Sequence, residues 1–159
     1  MTGPSAARDF DFLHGSWRIE HHRLTTRLAG ADEWDDFGGT CTARPILGGQ
    51  GNIDDNVLEL PAGKYRASSL RTFDPSTETW SIWWLDARDP HSLNDPVLGQ
   101  FDKGVGEFIA HSSFNEQPIV VRFRWTDTHT PSPLWEQSFS PDNGATWESN
   151  WTMRFHRVE

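Results

Sequence analysis

The sequence predicts an all-β chain: a single closed antiparallel up-and-down β-barrel of about ten strands, preceded by a short N-terminal helical plug. Three observations carry this expectation. The closing stretch from Trp135 to Arg157 reads as one β-hairpin, because Asp142-Asn143-Gly144 supplies turn residues that tolerate positive φ. Along its second strand Trp147, Ser149, Trp151, Met153 and Phe155 alternate with Glu148, Asn150, Thr152, Arg154 and His156, the two-residue period of a strand with one buried face. The third observation is the aromatic load: nine Trp and ten Phe against one Tyr and two Met, rigid side chains that suit half-buried pleated surfaces or the lining of a cavity.

The elements follow in order. A chain of 159 residues supports one core, with residues 1–8 expected as a flexible start and 9–159 as the barrel domain. Asp9-Phe10-Asp11-Phe12-Leu13 gathers three large apolar residues just before Gly15, as a plug should. From Ser16, the set Trp17, Ile19 and His21 alternates with Arg18, Glu20 and His22, which makes the first strand. Further strands are expected near 34–45, 51–60, 64–74, 78–86, 97–103, 106–114, 118–127, 134–139 and 146–157. Between them stand turn-forming clusters, among them Gly48-Gly49-Gln50-Gly51, Pro61-Ala62-Gly63, Asp74-Pro75-Ser76-Thr77, Asp102-Lys103-Gly104 and Asn115-Glu116-Gln117-Pro118. Connections this short suit a meander, and a ten-stranded meander closes because closure removes its exposed edges.

Charge and cysteine usage exclude several functions. The formal net charge is −9 and no run of Lys or Arg occurs, which argues against a groove for nucleic acid. No segment approaches the roughly 20 apolar residues needed to span a bilayer, so no membrane partner is expected. The lone Cys41 precludes an internal disulfide, and residues 1–8 lack the apolar centre of a secretory leader, which points to a cytoplasmic protein.

Gly15-Ser16-Trp17 at the start of the first strand resembles the Gly-x-Trp signature of the calycin group, which includes lipocalins, fatty-acid-binding proteins and nitrobindins. Pro45-Ile46-Leu47-Gly48-Gly49, Leu70-Arg71-Thr72-Phe73-Asp74-Pro75 leading into Trp80-Ser81-Ile82-Trp83-Trp84, Gly99-Gln100-Phe101 and the closing hairpin extend the likeness over nearly the whole chain. Together they resemble a family of small bacterial lipocalin-like proteins catalogued as a domain of unknown function. The resemblance implies a barrel with a cavity and no established chemistry. In physical terms, Gly15 lets the chain turn sharply into the barrel, and the Trp17 indole can close the floor beneath a stacked cation, for which Arg154 and Arg157 are the candidates.

Several motifs invite chemistry. Ser140-x-Asp142-x-Gly144-x-Thr146-Trp147 matches the Asp-box of sialidase propellers, but it occurs once where a propeller needs many blades, so it reads as a capped turn. His21-His22 and Asp54-Asp55 are adjacent pairs whose members point to opposite faces of a strand, so they read as exposed polar positions and no metal site is expected. His156 lies where nitrobindin-type barrels place their haem ligand, yet the alternation turns it away from Trp151, Met153 and Phe155, and no cofactor is expected. Gly48-Gly49-Gln50-Gly51 lacks the Lys and helix of a phosphate loop, and Cys41 has no local base. Arg122 and Arg124 alternate with Val121, Phe123 and Trp125 and so face solvent.

What remains is a set of polar residues among aromatic ones, the usual composition of a small-molecule site. Trp84, Trp135, Trp151 and Phe155 are expected to enclose a small, largely apolar or aromatic ligand, with His21, Arg71, Gln137 and Ser149 orienting it. Arg71 would favour an anionic group. An alternative is a cofactor-free isomerase, cyclase or hydratase using the same cavity, with His21 as general base and Arg71 as oxyanion partner, both catalytic residues in that case. Haem binding of the nitrobindin kind ranks below both. A packed oligomeric barrel without a cavity is a third reading, and a homodimer is open as a partner alongside the small molecule.

Overall fold

A computed structural model describes residues 6–158. Ten antiparallel strands close into one barrel: β1 (Gly15–Leu24), β2 (Trp34–Ile46), β3 (Gly51–Leu60), β4 (Gly63–Asp74), β5 (Thr79–Asp86), β6 (Val97–Asp102), β7 (Val105–Phe114), β8 (Gln117–Thr126), β9 (Leu134–Ser140) and β10 (Glu148–Val158). Each strand pairs with its neighbours in sequence, and β10 closes the barrel on β1 with Trp17 opposite Arg157 and Met153 opposite His21. The up-and-down barrel expected from the alternation is therefore the fold. No helix among the described residues is long and apolar enough to cross a membrane.

The two-residue period sorts each strand into an outer and an inner face. Inner positions are Trp17, Ile19 and His21 on β1, Trp80 and Ile82 on β5, Phe108 on β7, Phe123 and Trp125 on β8, and Met153 and Phe155 on β10, all buried. Arg122 stacks on the Trp147 ring and Arg124 faces Glu107, which puts the β8 arginines outside as expected. In the last turn Asn143 and Gly144 both take positive φ. Asp142 accepts hydrogen bonds there from the Thr146 hydroxyl, the Thr146 amide and the Ser140 hydroxyl, which hold its carboxyl below the usual range. The Asp-box is thus a capped turn.

The plug consists of two 3-10 turns, Ala6–Arg8 and Asp11–Leu13, with Phe10 between them. The first five residues of the expected flexible start lie outside the described residues. Phe10 reaches into the barrel floor, where its ring meets those of Phe12, Trp80, Phe101, Phe108 and Trp125 at centroid distances of 4.9–6.2 Å. Trp17 Nε1 donates to the Leu13 carbonyl at 2.7 Å, tying plug to wall. The cation over Trp17 is Arg157, 4.0 Å from the ring, which also donates to the carbonyls of Phe12 and His14. Arg154 instead pairs with Asp127. Gly15 is required at this junction, because its φ is +119° and a Cβ there would lie 2.6 Å from Arg157 Nη1.

One wall of the barrel is short. β5 and β6 pair only through Trp80, Ser81 and Ile82, so the outer half of β5 beyond Ile82 has β4 alone as a ladder partner.

Candidate functional site

The interior holds two adjoining cavities. The larger is about 220 Å³. Its walls come from β5 (Ile82, Trp84), β6 (Val97), β7 (Ala110, Ser112, Phe114), β8 (Ile119, Val121, Phe123), β9 (Trp135, Gln137, Phe139) and β10 (Trp151), with exposed Asn94, Asp95 and Ser113 at its rim. A second cavity of about 20 Å³ lies deeper and shares the walls Ile82, Trp84, Phe123 and Trp135; it has room for one water. A fully packed barrel is thereby ruled out.

Trp84, Trp135 and Trp151 meet at the shared end. Trp151 lies edge-on to both others, with centroids 5.6 Å from Trp84 and 5.3 Å from Trp135 and interplanar angles of 86° and 88°. These three and Gln137 are the sequence-predicted residues that the fold brings together in the larger cavity. Phe155 lines only the deeper one, against Trp17 and Trp125.

Arg71 also borders the deeper cavity, and its charge is already neutralised. Its Nη2 donates to Asp54 Oδ2 at 2.9 Å and its Nη1 to Asn52 Oδ1 at 2.8 Å, with both members of the ion pair almost wholly buried. Asp54 Oδ1 accepts from Asn56 Nδ2 at 2.6 Å and from the Ser69 amide at 2.7 Å, in the gap where the β3–β4 ladder is interrupted. The guanidinium sits 5.3 Å from the Phe10 ring centre. Two expectations are corrected here. Asp54 is a core residue rather than an exposed one, and Arg71 has no charge to spare for an anionic ligand or an oxyanion, because burying an unpaired guanidinium would cost more than the barrel could offset.

His21 points inward as its alternation predicts, but it lines neither cavity. It stacks on Phe37 at 4.5 Å, and its Nδ1 accepts from Trp151 Nε1 at 3.1 Å. Burial, with the Arg23 cation adding to it, lowers its pKa from 6.5 to about 3. A neutral ring whose Nδ1 lone pair is engaged holds Trp151 in place and is unsuited to general-base work near neutrality. The unfolded chain takes up a proton here below about pH 6.5 that the folded protein resists, so this contribution is complete above that pH and is lost as pH falls toward 3. Urea unfolding should show about 2 kcal/mol less stability at pH 5 than at pH 7, and His21→Gln should flatten that difference. Equal slopes in both proteins would contradict the assignment.

Ser149 is the site residue placed wrongly by the alternation. It is exposed and donates to Glu136 Oε2 at 2.6 Å, because a bulge between Ser149 and Trp151 breaks the β9–β10 register. Both Asn150 and Trp151 consequently point inward, and Trp147 is left on the outside beneath Arg122. Asn150, fully buried and bonded to Gln137, is the residue that the two-residue period misses.

The remaining candidates fall away from the cavities. His22 stacks on Trp34 and pairs with Asp36, and Asp55 pairs with Arg66, so each adjacent pair splits across the wall as the strand geometry requires. His156 faces Glu20 at 2.9 Å on the outer surface, remote from any interior ligand. Cys41 is buried, and burial pushes its thiol well above its usual pKa, away from the reactive thiolate. Among the described residues no three His, Cys, Asp or Glu side chains gather around one point. In comparisons with known proteins, no family model and no curated sequence matches this chain.

Proposed function

We propose that this protein is a lipocalin-like, cytoplasmic binder of a small, largely apolar aromatic molecule, held in the larger barrel cavity. The observation that carries the reading is the cavity itself: about 220 Å³ of space walled by three Trp and three Phe, with Gln137 as its buried polar group and a polar rim toward solvent. A packed core leaves no such space, since interiors fill to crystal-like density. Concave apolar walls with few convergent polar groups are the usual form of a ligand site, and the volume suits one or two fused rings rather than a larger molecule. No Lys, Arg or His stands among the described lining residues, so an uncharged ligand fits better than the anionic one that Arg71 had suggested.

The enzymatic alternative loses both of its residues, because His21 is engaged by Trp151 and Arg71 by Asp54. Titration with naphthalene should quench Trp fluorescence saturably, through Trp84, Trp135 and Trp151. Ala110→Trp, which fills the cavity from β7, should abolish that saturation while leaving far-ultraviolet circular dichroism unchanged. Undiminished binding by the filled variant would refute the proposed site.

A further inference from the structure

The polar groups behind the cavity fix the orientation of the Gln137 amide and so the place of its acceptor. Glu148, at the start of β10, receives the Leu28 amide on both carboxylate oxygens, at 3.0 and 3.1 Å. A carboxylate accepts and does not donate, so Asn150 must present its Nδ2 to Glu148 Oε1, which lies 3.5 Å away. That turns Asn150 Oδ1 inward, where it accepts from Gln137 Nε2 at 3.0 Å. Asn150 is completely buried, leaving no room for solvent to reverse the sequence of donors. One N–H of Gln137 Nε2 is engaged by Asn150, which fixes the orientation of the amide, and its Oε1 accepts no hydrogen bond from any described residue while its side chain lines the cavity.

Resting on the binding role proposed above, we infer that the ligand is an uncharged planar molecule with an O–H or N–H donor, of the phenol, indole or aromatic amine class, bound through Gln137 Oε1. The relay explains why two amides face one another next to an aromatic cavity: together they convert the fixed polarity of an outer carboxylate into an acceptor inside the barrel. The surroundings favour the same class. Asp95 places a carboxylate at the rim and no described lining residue is cationic, so an anion is disfavoured on both counts. A donor left unpaired in this cavity would lose its water partners without replacement, which Gln137 Oε1 prevents.

The test uses two nearly isosteric probes, 2-naphthol and 2-methylnaphthalene, with 2-naphthoate as the anionic comparison, measured by calorimetry on the full chain. The ratio of naphthol to methylnaphthalene affinity should fall about tenfold in Gln137→Leu, the loss of one hydrogen bond. Glu148→Gln, which keeps an acceptor for Leu28 but lets the amides of Asn150 and Gln137 reverse, should also lower the ratio although residue 148 does not line the cavity. The naphthoate should bind the native protein more weakly than naphthol. An unchanged ratio in Gln137→Leu, or naphthoate as the tightest ligand, overturns the inferred ligand class and leaves the binding role standing. If none of the three binds the folded native protein, the binding role falls and this inference with it.

Discussion

Arg71→Met should destabilise the barrel by about 3–5 kcal/mol, one of the two largest effects expected of a single substitution in this chain. The cost arises from the residue left behind more than from the one removed. Asp54 would remain nearly buried with its Asn56 and Ser69 donors but without the cation that faces its second oxygen. Adding Asp54→Asn to Arg71→Met removes the stranded charge, and the double variant should recover most of the loss. Urea unfolding of the two single variants and the double variant reads this directly. Additive losses, or a single-variant deficit below about 1 kcal/mol, would mean that the pair is not the closed unit described here.

The second large effect belongs to the plug. Phe10→Ala should cost about 3–5 kcal/mol, because the ring is buried and packs against five other aromatics as well as the Arg71 guanidinium. For a domain of this size that corresponds to roughly 10 °C in the thermal midpoint. Phe12→Ala, two residues away on the half-buried side of the same turn, should cost only about 1 kcal/mol. Similar losses for both would show that the plug merely covers the barrel end, without Phe10 acting as the hub of the floor.

The two substitutions meet in space, since the Arg71 cation stands over the Phe10 ring and both border the floor beneath the cavities. The lower barrel is therefore committed to stability: its charge is paired, its aromatics interlock and its one small cavity admits a single water. The upper barrel, where β6 is short and β5 lacks a partner on its β6 side beyond Ile82, carries the open volume. Stability and binding are thus divided along the barrel axis.

How much of this could be read from the chain differs by residue. The strands and their closure follow from two-residue alternation and from turn chemistry, both local signals. Trp84, Trp135, Gln137 and Trp151 were legible for the same reason, as inward positions on strands with clear periods. Ser149 was misplaced and Asn150 missed because one bulge reverses the faces of everything before it, and nothing in Ser149-Asn150 marks a bulge. Asp54 carried a usable signal: an inward Arg71 demands a buried carboxylate on a neighbouring strand, and Asn52, Asp54 and Asn56 form the polar inner row of that strand. The engagement of His21 with Trp151 was not legible, since it joins residues 130 positions apart through side chains alone.

The central claim is that the larger cavity is a ligand site, and a crystal structure of the protein grown with 2-naphthol tests it most directly. The account predicts ring density among Trp84, Trp135 and Trp151, with the hydroxyl within hydrogen-bond reach, about 3 Å, of Gln137 Oε1. Naphthol found only on the outer surface, with the cavity filled by ordered water or closed by its own side chains, would contradict it.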